Sequence, residues 1–426
     1  MEFFDYLKKG VTPYHTVSAS SEMLRDAGFT EISFADTFRL KAGGKYFCDI
    51  FHTALAAFTI GESVSESSCF HTAAAHTDHP CLHIKPYPEF APESSNGFMR
   101  LNTEMYGGAI YNTWLDKPLS LAGAVTLKSD DPFSPHFILM DFGRPVAVIP
   151  NLAIHFNRET NKGTALNPQV DMFPILGMFN SAINDNNYLL KSVADELNVD
   201  AHDILDMDLY VYLSEAPVTV GLNRDMLLAP ALDNLTSCYA AIKAIIDATP
   251  SDTINIALLF DHEEIGSRTK TGADSAVFKT LLEKIWAGLK FPNETLNDAI
   301  LKSFLFSVDV GHAVHPNHPE KSDSVNKITF GEGVAVKLSS NQRYTLDPSA
   351  VATAEMLSEK ANVKHKKYMF RADIPGGSTI GPMLSSLVPM HTADIGVPIL
   401  AMHSSAELMY AADETELVKL LTEFYK

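Results

Sequence analysis

Basic residues, cysteines and long apolar runs are all scarce in this chain. Lysine and arginine number 33 against 52 aspartate and glutamate, which gives a net charge of -19. That balance argues against nucleic acid or an anionic membrane as a partner, because both require a basic face. No apolar run reaches the length of a membrane span, and the N-terminus has no charged-then-apolar signal pattern. We therefore expect a soluble, cytoplasmic protein.

The few cysteines also exclude some kinds of site. Their scattered positions form no CxxC zinc motif, and their number is too low for a disulfide framework. We expect reduced, buried thiols. The four cysteines are Cys48, Cys69, Cys81 and Cys238.

With 426 residues, 46% of them hydrophobic, the chain is long enough for two domains. From about residue 99 to 220, short β-like runs alternate with Gly, Pro and Asn turns, interrupted by one predicted helix at 187–198. Before and after this region, helices alternate with buried strands. We predict an α/β catalytic domain, an α/β/α sandwich formed by 1–92 and 221–426, and an inserted β-rich domain at 93–220.

Five residues that can bind a metal each lie in a short motif of their own. Two histidines and three carboxylates form a mixed N/O set suited to ions such as zinc. Five ligands are too many for one tetrahedral ion, but they fit two ions that share a bridging carboxylate. Paired ions are a common device for hydrolysis. The five are His76 in AAAHTDHP, Asp233 in ALDN, Glu264 in FDHEEIGS, Asp309 in SVDVGH and His403 in AMHSSAE.

Four of these candidates fall at the C-terminal ends of predicted strands. The strands are predicted at 69–75, 254–260, 304–308 and 399–402, and a candidate follows each one closely. In open α/β sheets that edge is where ligands bind. The shared placement predicts that the candidates converge.

Each motif also has a simpler interpretation. In His76-Thr77-Asp78, positions i and i+2 share a face of an extended segment, so Asp78 could orient His76, but HxD also occurs in surface turns. Asp233 precedes a predicted helix, and its position alone favours a helix N-cap over a metal ligand.

Glu263 and Glu264 form the sharpest local signal. Adjacent side chains at a strand end diverge, so Glu264 could bind metal while Glu263 serves as general base and acid. The alternative is a solvated acidic turn. The motif is not HExxH, because Gly266 stands where the second histidine would be.

The remaining motifs are weaker. Asp309 is followed by His312, His315 and His318, which could form a separate metal site, although nearby prolines favour a loop. A lone histidine such as His403 is usually a satisfied core or rim residue. The loop 376–379, Gly-Gly-Ser-Thr, could present N–H groups and a hydroxyl to a substrate or could be a plain turn.

Taken together, these passages resemble the aspartyl aminopeptidase family of metallopeptidases. The matching stretches occur in family order and cover most of the chain. They are AAAHTDHPCLHIKP, MYGGAIYNTWLDKPLSLAG, VIPNLAIHFNR, APALDN, LLFDHEEIGS, SVDVGHAVHPN, VKLSSNQRYT, GGSTIGP and ADIGVPILAMHSSAE.

The resemblance implies a role for each candidate. It implies two Zn²⁺ ions, with Co²⁺ or Mn²⁺ as alternatives, a metal-bridging hydroxide and an inserted dimerisation domain in a tetrahedral dodecamer. The implied ligands are His76, Asp233 (bridging), Glu264, Asp309 and His403, with Glu263 as base and Asp78 supporting His76. The implied substrate contacts are His155 (reaching a neighbouring subunit), His312, Lys337, Tyr344, Gly377 and Ser378.

We therefore predict an aminopeptidase that prefers acidic N-terminal residues, because a buried Lys337 would pair with Asp or Glu. A preference for neutral residues, a related dimetal carboxypeptidase or deacylase, and a non-catalytic assembly protein are the alternatives.

Overall fold

The computed structural model describes residues 1–90, 97–178, 187–250 and 252–426. The helices are α1 (Phe3–Lys9), α2 (Pro13–Asp26), α3 (Pro168–Asp171), α4 (Tyr188–Leu197), α5 (Leu232–Asp247), α6 (Val277–Gly288), α7 (Leu296–Leu301), α8 (Pro348–Lys360), α9 (Gly381–Leu387) and α10 (Ala411–Phe424). The strands are β1 (Thr30–Glu31), β2 (Lys45–Ile50), β3 (Ala54–Ile60), β4 (Phe70–His76), β5 (Cys81–Phe90), β6 (Phe98–Tyr106), β7 (Leu119–Leu127), β8 (His136–Asp141), β9 (Ile175–Met178), β10 (Ile204–Leu213), β11 (Val218–Val220), β12 (Met226–Ala229), β13 (Ile254–Phe260), β14 (Phe304–Val308), β15 (Gly311–His312), β16 (Val334–Lys337), β17 (His365–Tyr368), β18 (His391–Gly396), β19 (Pro398–Leu400) and β20 (Glu407–Tyr410).

The chain divides into two compact units. Unit 1 contains 1–78, 217–402 and 407–426, and unit 2 contains 79–216 and 403–406. The predicted boundary at 92/93 lies outside the described residues. Unit 2 already includes β5, because β5 pairs with β6 and β10 rather than with a strand of unit 1.

Unit 1 is built on a nine-stranded sheet with the order β1-β2-β3-β13-β4-β14-β18-β16-β17. The four central strands, β13, β4, β14 and β18, run parallel to one another. Strands β13 and β14 are nearly continuous apolar runs, as expected for strands covered on both faces. The predicted strands at 254–260 and 304–308 are confirmed at those residues.

Two separate cores cover the two faces of this sheet. Along β13, Ala257 and Leu259 belong to one core, while Ile256 and Leu258 belong to the other. This alternation follows from the two-residue period of a strand. Helices α5 and α10 contribute to the first core, and α6 contributes to the second. The layers are helix, sheet and helix, and the predicted α/β fold class is confirmed.

Unit 1 also carries a smaller five-stranded sheet with the order β11-β12-β20-β19-β15. The predicted strand at 399–402 ends earlier than expected, since β19 stops at Leu400. Ala401 and His403 both have positive φ, of 59° and 67°, so the backbone turns before the histidine.

Unit 2 contains an antiparallel six-stranded sheet with the order β8-β7-β10-β5-β6-β9. The predicted helix at 187–198 is confirmed as α4, which Asn187 and Asn198 flank as N-cap and C-cap. Of the residues described, none lies in a helix long and apolar enough to cross a membrane.

Helix α2 begins at Pro13. Thr12 serves as its N-cap and accepts a hydrogen bond from the N–H of His15 at 3.3 Å. Proline suits the first helical position, since its missing N–H would have no helical partner there.

Candidate metal centre

Three neighbouring parallel strands deliver candidate ligands to one edge of the large sheet. His76 is the last residue of β4, Asp309 follows β14 directly, and Glu264 lies four residues past β13. Since β13, β4 and β14 are adjacent and parallel, their carboxyl ends meet at the same edge. The predicted convergence of these three positions on one edge is therefore observed.

The His76 ring is buried and held in one orientation. Its Nδ1 donates a hydrogen bond to the backbone carbonyl of Asp78 at 3.0 Å. The other ring nitrogen, Nε2, lies 3.4 Å from Oδ1 of Asp233 and 3.8 Å from Oδ1 of Asp309. One ring nitrogen is thus held by a carbonyl and the other faces two carboxylates. Metal-binding histidines commonly have one nitrogen fixed by a hydrogen bond in this way, which leaves the other for the metal.

Ligand atoms of His76, Asp233 and Glu264 lie within 4.8 Å of one another, a spacing that could hold a metal ion. The donor set is one imidazole nitrogen and two carboxylate oxygens, which suits zinc and similar divalent ions. Within the described ranges, no further group of three such residues meets this spacing. His315 and His318 do not form the separate metal site that their sequence spacing left open.

Asp78 fixes the turn that carries the two glutamates. Its carboxylate is fully buried and accepts the backbone N–H of Glu263 at 3.0 Å through Oδ1 and that of Glu264 at 3.1 Å through Oδ2. Asp78 therefore contacts both motifs. Its backbone carbonyl orients the His76 ring, and its carboxylate fixes the turn that carries Glu263 and Glu264. The sequence suggested only the first of these contacts.

The first turn of α5 is irregular at Asp233. Asp233 and Asn234 have non-helical backbone angles, which kink the helix, and no side-chain hydrogen bond caps its start at Ala231. The N–H of Asp233 donates to Oε2 of Glu407 at 2.9 Å. Glu407 is 174 positions away, so the sequence offered no signal for this contact.

Lys337 lies beside Asp309 and is fully buried. Its Nζ is 3.6 Å from Oδ2 of Asp309 and donates to the carbonyl of Val310 at 3.1 Å. The ammonium also lies 4.9 Å from the centre of the Tyr344 ring. The charge of Lys337 is therefore already balanced by a carboxylate of this cluster.

The cluster carries an excess of negative charge. The pKa of Glu263 is raised to about 8, mainly by burial; the charge of His76 opposes this, and repulsion from the neighbouring aspartates adds to it. Burial opposes protonation of His76, yet hydrogen bonds to Asp233, Asp309 and Asp78 raise its pKa well above the usual value. A divalent cation would relieve this crowding, because it is the largest local charge in such a site. The residues present thus fit a metal centre.

The remaining unit 1 candidates are Tyr344, His312, Gly377 and Ser378. Tyr344 is nearly buried and stacks on Phe370 at 5.6 Å between ring centres. His312 lies 5.3 Å from the same Phe370 ring. Gly377 and Ser378 are exposed, which leaves the N–H groups and hydroxyl of that loop accessible.

Two histidine candidates belong to unit 2. His403 lies within that unit, and its Nδ1 donates to the carbonyl of Gly108 at 3.2 Å, an orienting contact that the sequence did not reveal. His155 is exposed in a turn. The residues around it, Leu152, Ile154 and Phe156, are large exposed apolar residues.

Residues 6–425 match the family described as aminopeptidase I zinc metalloprotease (M18). The chain belongs to this family. M18 includes aspartyl aminopeptidase, so the resemblance inferred from the motifs is confirmed. The protein is thus a metallo-aminopeptidase of M18, and the family implies a divalent metal.

Relatives match over almost the whole chain. A probable M18 family aminopeptidase 2 of Clostridium novyi is 40% identical, with 100% of this chain and 98% of the relative covered. A cryo-EM structure of an Ape4 and Nbr1 complex superposes with a TM-score of 0.95 at 30% identity, covering 99% of this chain and 84% of that one. The mApe1 dodecamer of Saccharomyces cerevisiae gives a TM-score of 0.86 at 25% identity, covering 99% and 95%.

Proposed function

We propose that this M18 protein hydrolyses the N-terminal peptide bond of peptides at a centre of two divalent ions. The observation that carries the proposal is the meeting of His76, Asp233, Asp309 and Glu264 at the carboxyl edge of β13, β4 and β14. Zn²⁺ is our first choice of ion, with Co²⁺ and Mn²⁺ as alternatives.

We assign Asp233 as the bridging ligand. By the family resemblance, His403 is the fifth ligand. Bound ions would polarise the scissile carbonyl and lower the pKa of a water molecule. The three carboxylate ligands, Asp233, Glu264 and Asp309, supply negative charge that two cations require.

Glu263 is the proposed general base and acid. It neighbours Glu264 on a turn that Asp78 holds through two backbone hydrogen bonds. That turn keeps the Glu263 carboxylate beside the proposed ligand Glu264. A carboxylate held there can accept a proton from water and return it to the departing amine.

We further propose a preference for Asp and Glu as the N-terminal residue. Because Lys337 contacts Asp309, two roles are open to it: binding an acidic side chain of the substrate, or holding Asp309 in place. Lys337→Met distinguishes its two roles. Loss confined to Asp- and Glu-initiated peptides supports charge recognition, whereas equal loss on Leu-initiated peptides assigns Lys337 to the support of Asp309.

The other proposed substrate contacts are His312, Tyr344, Gly377 and Ser378, together with His155 from a neighbouring subunit. We propose a homo-oligomer built from dimers, a tetrahedral dodecamer, in keeping with the dodecamer of the yeast relative. The exposed apolar residues Leu152, Ile154 and Phe156 beside His155 suit a contact with another subunit. All four cysteines lie in the described part of the chain and form no disulfide there, which suits the cytoplasm.

Release of free amino acid from Asp-, Glu- and Leu-initiated peptides tests the proposal, with metal-loaded and chelator-stripped protein side by side. We expect metal-dependent release, fastest for Asp and Glu, and loss of release in Glu263→Gln. N-acetylated peptides serve as the control: an aminopeptidase leaves them intact, whereas a deacylase would consume them and contradict the assignment.

A further inference from the structure

A cavity of about 510 Å³ lies in unit 1 between the segments that follow β16 and β17. Because these two strands are paired in parallel, both segments leave the sheet at the same end. The first segment, 338–343, supplies Arg343, and the second, 369–376, supplies Phe370, Arg371 and Gly376. The cavity thus has two guanidinium groups and an aromatic ring in its walls.

The two arginines differ in what they already bind. Arg371 makes a two-pronged contact with Asp373, from Nε at 2.7 Å and from Nη2 at 3.0 Å, and it also donates to the carbonyl of Glu320. In the described part of the chain, no carboxylate pairs with Arg343. It donates only from Nη1 to the carbonyl of Gly376 at 2.7 Å. Most of its five N–H donors remain available.

Hydrogen bonds to a buried carboxylate hold the loop that follows Arg343 in place. Asp394 is fully buried and accepts the N–H of Thr345 at 2.6 Å, the Thr345 hydroxyl at 2.7 Å and the Thr379 hydroxyl at 2.5 Å. The N–H of Thr379 also donates to the carbonyl of Arg343 at 3.2 Å. One carboxylate therefore ties together the loop of Arg343 and the loop of Gly377 and Ser378, so the guanidinium is presented on a fixed support.

The cavity connects with the candidate metal centre through packed side chains. Oδ2 of Asp309 is 3.6 Å from Nζ of Lys337, which is 4.9 Å from the Tyr344 ring, which in turn is 5.6 Å from the Phe370 ring in the cavity wall. An extended peptide covers about 3.3–3.6 Å per residue. The sum of these three distances is about the length that four extended residues span.

Arg343, which pairs with no carboxylate in the described part of the chain, is a local positive charge in a chain of net charge -19. Long-range repulsion works against acidic peptides here, so their binding needs a local cation. The planar guanidinium matches a carboxylate, with which it forms paired charge-assisted hydrogen bonds.

We propose that this cavity is a substrate subsite in which Arg343 binds a carboxylate of the peptide beyond its first peptide bond. The carboxylate is either the C-terminus of a short peptide or an acidic side chain. This inference rests on the proposed peptidase function, but it is separate from any preference for the first residue.

The experiment compares kcat/KM on matched peptides that all begin with the residue cleaved fastest. One pair, X-Ala-Ala-Ala-Ala and its C-terminal amide, tests the C-terminal carboxylate. The second set, X-Ala-Glu-Ala-Ala-amide, X-Ala-Ala-Glu-Ala-amide and X-Ala-Ala-Ala-Glu-amide, each paired with its Gln counterpart, tests the side chain. We expect the wild type to favour the charged member of at least one pair by on the order of tenfold. Arg343→Gln should abolish that ratio, and Arg343→Lys should retain part of it.

Arg371→Gln is the matched control, because it removes a guanidinium from the same cavity whose charge Asp373 already balances. It should keep the wild-type ratio. Equal kcat/KM for both members of every pair in the wild type would overturn the subsite while leaving the peptidase function intact. A uniform loss on all peptides in Arg343→Gln, with the ratio preserved, would reduce Arg343 to a loop support and also overturn it. Failure to cleave any peptide would reject the peptidase function itself.

Discussion

Replacing Asp78 with asparagine should weaken the metal centre without removing any proposed ligand. The native carboxylate accepts two backbone N–H groups, from Glu263 and Glu264, at 3.0 and 3.1 Å. An asparagine keeps one acceptor oxygen and turns an amide N–H towards the second donor. One charge-assisted hydrogen bond is lost and one buried N–H loses its acceptor, so the free energy of unfolding should fall by about 2–4 kcal/mol.

The same change should loosen metal binding and slow the reaction. Loss of an outer partner of metal ligands typically costs about 10–100-fold in affinity. With metal at saturation, kcat should still fall by about 10–100-fold, because the Glu263 carboxylate no longer has a fixed position. Competition against a chelating zinc indicator measures the affinity, and peptide hydrolysis at saturating Zn²⁺ measures kcat.

The chain offers a matched control in Asp413. Its buried carboxylate also accepts two backbone N–H groups, from Gly331 at 3.0 Å and Gly333 at 3.2 Å, but none of these residues is a candidate ligand. Asp413→Asn should leave zinc affinity unchanged whatever its effect on stability. If Asp78→Asn bound zinc with wild-type affinity and kept full kcat, the positioning role argued for Asp78 would be refuted.

Three further predictions concern buried carboxylates. Burial raises the pKa of Asp413 to about 6, above the unfolded value of about 3.9, so its contribution to stability is full below about pH 4 and is lost as pH rises through 6. Urea unfolding of wild type and Asp413→Asn at pH 4 and 7 should show the wild type losing up to about 3 kcal/mol relative to the variant, and parallel pH curves would contradict this. Burial raises the pKa of Glu414 well above its usual value, and in the described part of the chain its carboxyl oxygens have no hydrogen-bond partner. Glu414→Leu should therefore raise the free energy of unfolding by about 1–2 kcal/mol, as measured by thermal denaturation. Asp394→Asn removes one of the three hydrogen bonds by which Asp394 holds the loops of Thr345 and Thr379. KM should rise several-fold, and the free energy of unfolding should fall by about 1–3 kcal/mol. An unchanged KM would show that those loops do not contact substrate.

Local pattern located three of the nine strands of the large sheet, β4, β13 and β14. The runs 254–260 and 304–308 are apolar at almost every position and bounded by polar residues, so their limits were legible. Ligands gather at the carboxyl edge of such sheets, which predicted that Asp309, Glu264 and His76 would lie close together. They do, because the three strands that precede them are parallel neighbours.

Contacts between distant segments could not be read from the sequence. No local pattern pairs Asp233 with Glu407, or Asp394 with Thr345 and Thr379, since these contacts depend on how separate strands and loops pack. The kink at Asp233 and Asn234 in the first turn of α5 has no local signal in the sequence either. The position of Lys337 against Asp309 likewise follows from strand packing, and no local pattern encodes it.

A crystal structure of the zinc-loaded protein, with anomalous differences collected at the zinc absorption edge, tests the central claim most directly. The account predicts two peaks at the carboxyl edge of β13, β4 and β14, both within coordination distance of Asp233. One peak alone, or peaks remote from His76, Glu264 and Asp309, would contradict the two-ion centre.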